Sequence, residues 1–389
     1  MKGKKKILIL SQYFYPENFR INDLIFSLPR NKYEISVLTG KPNYPLGKVF
    51  HGYNPYTIEN YKFKNIFFTR IPIIPRKKNI IFLVLNYLSF VLSAGLYCFF
   101  IKKKYDFIFV PATSPITSAL PAIILKRRLN AKLILWVQDI WPDIIKSTGK
   151  IKSKIILKFI DKIVKFIYSN SDTILIQCKS FKKFISRYKL KSKIEYFPFW
   201  SEKEFKYMKK KIANHIICAG NIGSSMDLDL ILKFAKEIKY KKLDYKLILY
   251  GDGSKKSYLK KQIINLNLED ILILKKPVNK KKLNLIISMS KFCLLSLKND
   301  PVYNATVPGR FQTYLSCGKP IICLAKGITS KMIRNNNLGF VVNNENLNQI
   351  KSKFYIYNKK KINSQHKVSR RFYSNNYSKN LILSKFYSF

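Results

Sequence analysis

Acidic residues are scarce in this chain of 389 residues: 21 Asp and Glu stand against 73 Lys and Arg, giving a formal net charge of +52. Histidine is rarer still, with 3 residues. None stands beside plausible Ser and Asp partners, which disfavours Ser-His-Asp catalysis. The 6 cysteines are scattered without a C-x-x-C pair. Their spacing argues against a metal site and for reduced thiols in a cytoplasmic setting.

The positive charge has two interpretations. An excess of this size favours anionic partners such as nucleic acid, anionic lipid or phosphorylated substrates. Alternatively, abundant Lys, Ile and Asn are typical of an AT-rich coding sequence, and part of the charge then lies on a solvated surface without a role. Because the basic residues are spread along the whole length, they predict a preference for anionic surfaces and nothing more specific.

Composition and hydrophobic pattern predict an α/β protein. Hydrophobic residues make up 47% of the chain, enough for packed cores, and 389 residues is long for a single domain. The N-terminus is basic and then apolar, but the apolar run is too short for a secretion signal and is better explained as a first buried strand. Buried strands are predicted at Lys6–Leu10, Glu34–Thr39, Phe107–Pro111, Lys132–Gln138, Thr173–Gln177 and Lys193–Phe197.

The alternation of strands and helices starts again after Trp200. Further strands are predicted at His215–Ala219, Lys246–Tyr250, Ile271–Leu274, Phe292–Leu297 and Ile321–Ala325. Two successive arrays imply two Rossmann-like domains, residues 1–199 and 200–371, facing each other across a cleft. Ligands of such sheets bind at the carboxyl ends of the strands, so the turns there are the candidate sites.

The segment Asn79–Ile101 contains no charged residue and has three basic residues on each side. Its length makes it a candidate transmembrane helix. However, the strands predicted before and after it could not share one sheet if it crossed a bilayer. Asn86, Ser89 and Ser93 form a narrow polar stripe along it. We expect a helix partly immersed in the membrane interface; a buried core helix and a true span are the alternatives.

The loop that follows the first predicted strand is the first candidate site. It contains Gln12, Glu17, Asn18 and Arg20, which can contact a polar or charged ligand. The alternative is an ordinary strand–helix turn in which Asn18 caps the helix.

A second candidate site is the sequence WVQDIWPD at the end of another buried strand. Asp139 ends the strand, and Asp143 follows Trp141 and Pro142. A carboxylate at this position can accept a hydrogen bond from a substrate hydroxyl or act as a base, and the aromatic rings can stack on a sugar. The alternative is a carboxylate that caps the next helix, which fits Asp143 better than Asp139.

A third candidate is the turn Gly220–Gly223, with the sequence GNIG between a strand and a helix. Its glycines allow the backbone to approach a phosphate, although a packing turn also needs glycine. The nearby Asp227 and Asp229 have the spacing of a metal-binding pair. They stand at a predicted helix start, where acidic residues are stabilising, so no metal is expected.

The fourth candidate is the stretch Asn304–Pro320, which contains a predicted short helix, Phe311–Cys317. Pro308, Gly309 and Arg310 open this helix. A helix start with unbonded N–H groups and a fixed cation suits a phosphate group. The stretch lacks any carboxylate.

Six segments stand in this order along the chain: SQYFYPENFRINDL, LTGKPNYPLGKVFHGY, VQDIWPD, YFPFW, CAGNIG and VPGRFQTYLSCGKPI. Together they resemble glycosyltransferase family 4, most closely its WbuB-like branch, which is associated with bacterial O-antigen and capsular polysaccharide assembly. The joint order of these motifs, from about residue 5 to residue 330, carries the resemblance.

The resemblance implies the two-domain GT-B fold and a retaining, metal-independent transfer from a nucleotide sugar, with no cofactor. In this branch the donor is often a UDP-linked deoxy-acetamido sugar and the acceptor an undecaprenyl-diphosphate-linked saccharide. We therefore expect a cytoplasmic protein bound peripherally to the anionic inner face of the plasma membrane, with no nucleic acid as partner. The segment 372–389 is expected to pack back on the first domain.

The residues and the resemblance together predict specific roles. Asp139 and Arg310 are the predicted catalytic residues, with Arg310 where the branch usually has Lys. The predicted acceptor contacts are Gln12, Glu17 and Trp141. The predicted donor-binding residues are Asn18, Arg20, Gly220, Asn221, Gly223, Pro308, Gly309 and Thr313.

The chain departs from the wider family at two places. Two glutamates that the family carries eight positions apart are replaced by Ala305 and Thr313, and the basic pair after the glycine turn is replaced by Asn221 and Ser224-Ser225. The phosphate charge must therefore be met by Arg310 or by nearby lysines. These replacements affect the donor geometry more than the reaction class.

Two other functions stay open on the sequence alone. A sugar-nucleotide epimerase on the GT-B architecture requires carboxylates or histidines around the sugar carbon, and the candidate turns hold few. A nucleic-acid-binding protein would use the charge, but it requires basic residues interleaved with aromatics on one face or a known module. Neither feature is apparent.

Overall fold

The computed structural model describes residues 3–77, 79–149, 151–359 and 362–389. The chain divides into two units, Met1–Phe197 and Pro198–Phe389. Each unit is an α/β body with its own sheet. Lys78, one of the basic residues predicted to flank the uncharged segment, lies outside the described residues.

The N-terminal unit contains an eight-stranded sheet. Its strands are β1 (Lys5–Ser11), β2 (Tyr33–Gly40), β3 (Glu59–Phe63), β4 (Ile66–Ile71), β5 (Phe107–Ala112), β6 (Lys132–Val137), β7 (Thr173–Ile176) and β8 (Lys193–Tyr196). The strand order is β3-β4-β2-β1-β5-β6-β7-β8. All neighbouring strands are parallel except β3 and β4. The inner strands are continuous apolar runs because helices cover both faces of a parallel sheet.

Six α-helices in the described part of this unit connect the strands. They are α1 (Arg20–Ser27), α2 (Ile80–Phe100), α3 (Leu120–Leu129), α4 (Asp143–Thr148), α5 (Lys154–Ser169) and α6 (Phe181–Ser186), with a 3₁₀ turn at Ile116–Ala119. The uncharged segment forms α2, whose N-cap residue Asn79 accepts a hydrogen bond from the Ile81 backbone N–H at 2.9 Å. Among the described residues, α2 alone is long and apolar enough to cross a membrane by length and composition.

The C-terminal unit contains a six-stranded parallel sheet. Its strands are β9 (Ala213–Ala219), β10 (Lys246–Tyr250), β11 (Leu272–Lys275), β12 (Ser290–Ser296), β13 (Ile321–Leu324) and β14 (Gly339–Val341). The strand order is β11-β10-β9-β12-β13-β14. In this order β9 and β12 lie at the centre, so the turns that follow them stand near the middle of the carboxyl edge.

Helices cover this second sheet. They are α7 (Leu228–Tyr240), α8 (Lys256–Asn265), α9 (Lys280–Met289), α10 (Pro301–Asn304), α11 (Gly309–Ser316), α12 (Gly327–Asn335), α13 (Ile350–Lys359), α14 (Ile362–Tyr377) and α15 (Lys379–Phe386), with a 3₁₀ turn at Leu347–Gln349. The ring of Phe311 in α11 packs edge-on against Phe372 and Tyr377 of α14, with centroids 6.5 and 6.0 Å apart. This packing helps to fix α11.

The two parallel sheets confirm the predicted α/β fold class. Some elements differ from the prediction. The hairpin of β3 and β4 was not predicted; it turns at Lys64 and Asn65, which both have positive φ. The helix α11 begins at Gly309, two residues earlier than predicted, so Gly309 and Arg310 belong to its first turn. The packing of 372–389 on the first domain stays a prediction.

Candidate functional site

Two glycine turns of the C-terminal unit are joined at the carboxyl ends of β9 and β10. The Ile222 N–H donates to the Asp252 carbonyl at 2.8 Å, and the Gly220 N–H donates to the Tyr250 carbonyl at 2.9 Å. A Cβ on Gly253 would collide with the Ile222 carbonyl oxygen, and Gly253 has a φ of +152°. Position 253 therefore requires glycine, because there the second turn packs directly against the backbone of the first.

Arg310 lies against this first turn. Its Nη2 is 3.6 Å from the position that a Cβ on Gly220 would occupy, and its Nη1 is 3.6 Å from the Sγ of Cys218. Burial raises the pKa of the Cys218 thiol, and the guanidinium opposes that shift. The cation is thus held beneath a turn that carries no side chain of its own at Gly220.

The helix α11 is fixed by a second contact with the end of β9. The hydroxyl of Tyr314 accepts a hydrogen bond from the Ala219 backbone N–H at 2.9 Å. The N-cap of α11 is Pro308, which gives no side-chain hydrogen bond to the helix start. The helix dipole and the Arg310 cation therefore act at the same place, which is the geometry that binds an anion such as phosphate.

The other predicted donor residues of this unit stand nearby. Asn221 is exposed, and its side chain folds over Gly223, with Nδ2 2.6 Å from where a Gly223 Cβ would lie. The hydroxyl of Thr313 donates to the Gly309 carbonyl at 3.3 Å, within its own helix. Ala305, the other position where the wider family has glutamate, is buried at the end of α10.

A small cavity that the sequence did not reveal lies at the ends of β12 and β13. It has a volume of about 90 Å³, and its lining includes Asn299, Lys326 and Glu345. Lys326 Nζ lies 3.5 Å from the Glu345 carboxylate. In the sequence, Lys326 follows the buried run of β13.

The N-terminal unit holds the predicted carboxylate, Asp139, just after β6. Its Oδ2 accepts a hydrogen bond from the Ser114 hydroxyl at 3.0 Å, and burial raises its pKa. Trp141 Nε1 donates to the same hydroxyl at 3.3 Å. The structure therefore brings Asp139 and Trp141 together through Ser114. The sequence prediction did not include this serine, although it follows the end of β5.

Gln12 points into the protein. It is buried, and its amide nitrogen donates to Oδ1 of Asn86 in α2 at 2.8 Å. The hydroxyl of Tyr13 donates to the same oxygen at 2.7 Å. This bond ties the loop after β1 to α2, and the predicted acceptor contact of Gln12 stays a prediction.

Glu17 also holds loops together. Its carboxylate accepts hydrogen bonds from the backbone N–H groups of Phe14, Asn43 and Tyr44, at 3.2, 2.9 and 2.7 Å. Burial is the larger influence and raises the pKa of Glu17 to about 7, while these bonds oppose the shift. The carboxylate thus joins the loops after β1 and β2, and its predicted contact with the acceptor stays a prediction.

The remaining polar candidates of this unit are placed as follows. Asn18 is exposed, and the N-cap of α1 is Phe19, so the alternative in which Asn18 caps that helix is wrong. Arg20 is the first residue of α1. Asp143 lies in the first turn of α4 and pairs with Arg187 at 2.8 Å.

The described ranges contain no cluster of three or more His, Cys, Asp or Glu side chains that could bind a metal ion. The metal-independent mechanism stays a prediction.

The sequence matches one protein family. Residues 179–377 match the model described as glycosyl transferases group 1, which covers just over half of the chain. No curated protein matches the sequence significantly.

Solved structures match along nearly the whole chain. Sucrose-phosphate synthase from Thermosynechococcus elongatus has a TM-score of 0.69 at 14% identity, covering 99% of this chain and 98% of its own. The E. coli trehalose-6-phosphate structure bound with UDP-2-fluoro glucose has a TM-score of 0.70 at 12% identity, with coverages of 99% and 98%. HepE from Anabaena, in complex with UDP and glucose, has a TM-score of 0.67 at 12% identity, with the same coverages. At these identities the likeness establishes the GT-B fold.

Proposed function

The chain belongs to the group 1 glycosyltransferases, and from this premise we propose that it transfers a sugar from a nucleotide donor to a lipid-linked saccharide. The donor is a UDP-linked N-acetylated deoxyhexosamine. The acceptor is an undecaprenyl-diphosphate-linked saccharide of bacterial O-antigen or capsule synthesis, as in the WbuB-like branch. Transfer proceeds with retention of the anomeric configuration and without a metal ion.

The observation that carries this proposal is the position of Arg310 beneath the Gly220 turn. A guanidinium, a helix N-terminus and a glycine backbone meet at the carboxyl edge of one sheet. This combination favours a diphosphate, because the two phosphates require both positive charge and close backbone approach. Two of the similar structures contain UDP or a UDP-sugar, which supports a UDP-linked donor.

Arg310 and the α11 N-terminus act on the leaving group in the proposed reaction. The bond that breaks joins the anomeric carbon to an oxygen of the UDP diphosphate, and negative charge develops on that oxygen. Fixed positive charge lowers the barrier because it is already oriented before the bond breaks. In this proposal Arg310 supplies the side-chain charge for the phosphates, since the wider family's basic pair is replaced by Asn221 and Ser224-Ser225.

Asp139 acts on the acceptor. In the proposed retaining reaction, the new bond joins the acceptor hydroxyl oxygen to the anomeric carbon on the face that UDP leaves. Asp139 accepts the hydroxyl proton or its hydrogen bond. Burial raises the pKa of Asp139, which makes the carboxylate a stronger base. Ser114 orients it through the 3.0 Å hydrogen bond.

The proposed location is the cytoplasmic side of the plasma membrane, where an undecaprenyl-linked acceptor is anchored. The uncharged sequence of α2, with Lys102–Lys104 after it, supports peripheral association with an anionic leaflet.

A donor screen tests the proposal. Purified protein is mixed with individual UDP- and GDP-sugars and an undecaprenyl-diphosphate-linked saccharide, and nucleotide release is measured with and without EDTA. We expect acceptor-dependent release of UDP from an N-acetylated deoxyhexosamine donor, unchanged by EDTA. Release that requires a divalent metal, or release only from GDP-sugars, would contradict it. Interconversion of donor sugars without an acceptor would favour the epimerase alternative.

A further inference from the structure

The outward face of α2 consists entirely of apolar side chains. Leu92 is 71% exposed and Phe100 is 73% exposed. The helix is about 30 Å long at 1.5 Å per residue, and the apolar face runs along its whole length. Proteins that stay in water seldom leave so large a continuous apolar patch uncovered. The exposed residues of this face are Ile80, Ile81, Val84, Leu85, Leu88, Leu92, Leu96, Phe99 and Phe100.

The polar side chains of α2 face the protein instead. Asn86 is fully buried and accepts the bonds from Gln12 and Tyr13, while its own amide donates to the Ile74 carbonyl at 2.6 Å. The hydroxyl of Ser89 accepts from the Ile74 N–H at 3.0 Å. These bonds attach α2 to its unit along one side. They are incompatible with a helix that leaves the unit to cross a bilayer.

A second helix of the same unit, α5, exposes both apolar and basic side chains to solvent. Ile155 and Phe159 are 81% and 64% exposed, and Ile156 and Phe166 are also exposed. Four exposed lysines alternate with these apolar residues: Lys154, Lys158, Lys162 and Lys165. Apolar side chains bordered by lysines are typical of helices that lie in the interface of an anionic membrane.

The helices α2 and α5 lie on the same face of the sheet. The connections from β4 to β5, from β5 to β6 and from β6 to β7 all move in the same direction across parallel strands. Right-handed crossovers then put α2, α3 and α5 in one layer. The helix α3 contacts both others, since Arg128 donates to the Cys98 carbonyl and Arg127 lies 5.9 Å from the Phe166 ring centroid.

The charged residues of α2, α3 and α5 are almost all basic. The sequences of α2 and α3 contain no acidic residue, and α5 contains only Asp161. Asp161 accepts a hydrogen bond from Tyr188 at 2.6 Å and pairs with Arg187 at 3.3 Å. An apolar face bordered almost entirely by cations fits a leaflet with anionic headgroups better than it fits a second copy of this cationic chain.

We propose that α2 and α5 together form a membrane-docking surface that binds one leaflet of an anionic phospholipid bilayer. The apolar side chains enter the acyl boundary, and the lysines of α5 together with Lys102 and Lys104 contact the headgroup phosphates, while Lys103 pairs with Glu34 at 2.8 Å. Both helices lie in the plane of the membrane, and neither spans it. The strand β4, which precedes α2, ends at the carboxyl edge of the sheet, where Ser114 and Asp139 also stand, so the N-terminus of α2 lies toward that edge.

The docking surface extends the proposed membrane location. Its role in glycosyl transfer rests on the proposed function, but its binding to lipid does not. The test requires neither donor nor acceptor. Full-length protein is sedimented with vesicles of phosphatidylcholine alone or with phosphatidylglycerol. Two double variants remove one exposed apolar pair each, Leu92→Glu with Leu96→Glu on α2 and Ile155→Glu with Phe159→Glu on α5. The matched control is Tyr240→Glu, at an 82% exposed position of the C-terminal unit.

We expect the wild type and the control to sediment with the phosphatidylglycerol vesicles and to be released by high salt. Each double variant should lose on the order of 100-fold in partitioning, because each pair removes the transfer free energy of two large apolar side chains. Thermal melts establish that the variants are folded. Unchanged binding of either folded double variant overturns the two-helix surface.

Two further measurements exclude other occupants. Retention of the wild type in vesicles after alkaline carbonate extraction would indicate a spanning helix and overturn the proposal. A wild-type dimer in sedimentation velocity that fails to bind vesicles, and that the double variants convert to monomer, would show that a second copy covers the face. If the wild type binds vesicles but releases no nucleotide in the donor screen, the transferase proposal is wrong and the docking surface is still supported.

Discussion

The guanidinium of Arg310 lies beneath the backbone of Gly220, with Nη2 3.6 Å from the position of a missing Cβ. Gly220 has a φ of +128°, a conformation that favours glycine. The absence of a side chain leaves the cation next to open backbone, at the start of α11. The geometry therefore concentrates positive potential at one point of the carboxyl edge of the second sheet.

The turn at Gly253 is expected to tolerate no side chain. Gly253→Ala adds a Cβ that collides with the Ile222 carbonyl and strains a φ of +152°. We expect a loss of about 2–3 kcal/mol in the free energy of unfolding from the combined strain and displacement. The control Gly52→Ala has a φ of +83° but open space around its Cβ, and should lose about 1 kcal/mol. Urea unfolding measures the free energy of unfolding of both variants. Equal losses would show that Gly253 does not pack closely against the Gly220–Gly223 turn.

Asp139→Asn is expected to reduce transfer while the fold is kept. An asparagine oxygen can still accept the Ser114 hydrogen bond, but it cannot accept a proton. We expect kcat to fall by about 100-fold or more, with little change in KM for the donor. Asp143→Asn is the control, because that carboxylate pairs with Arg187; it should keep its turnover. Full activity of Asp139→Asn would exclude the carboxylate from the chemistry.

The stability of the protein should depend on the ionisation of Glu17. Burial raises the pKa of Glu17 from 4.5 to about 7, so the folded state binds more protons than the unfolded state between these pH values. Its contribution to stability is present below pH 4.5 and is lost as the pH rises to about 7, a change on the order of 3 kcal/mol.

Urea unfolding of the wild type and Glu17→Gln between pH 4.5 and 8 measures this dependence. The free energy of unfolding of the wild type should fall relative to that of the variant as the pH rises. A constant difference across the range would mean that Glu17 has an ordinary pKa.

Most strands of both sheets could be predicted because long apolar runs in parallel sheets are a direct sequence signal. The strand β14 was not predicted, since it has only 3 residues. The hairpin of β3 and β4 was missed because β3 has only 5 residues and none of them is fully buried, so it gives no apolar run. Its turn at Lys64 and Asn65 also lacks the glycine that usually indicates a tight hairpin.

The candidate site could be predicted in part. The glycine turns and Arg310 follow from local sequence, because a turn and a helix start need particular residues at fixed positions. Whether a loop side chain faces a ligand or the protein depends on distant partners. Glu17 is bonded to Asn43 and Tyr44, and Gln12 to Asn86, and no local pattern indicates such contacts.

The most direct test of the diphosphate site is calorimetric titration of the full chain with UDP and with uridine. Arg310→Ala should weaken UDP binding by about 10- to 100-fold, the effect of removing a hydrogen bond from a charged group. Uridine binding should not change, and Arg334→Ala, on the exposed last turn of α12, should bind UDP as the wild type does. Equal affinity of folded Arg310→Ala and the wild type for UDP would contradict the proposed role of Arg310.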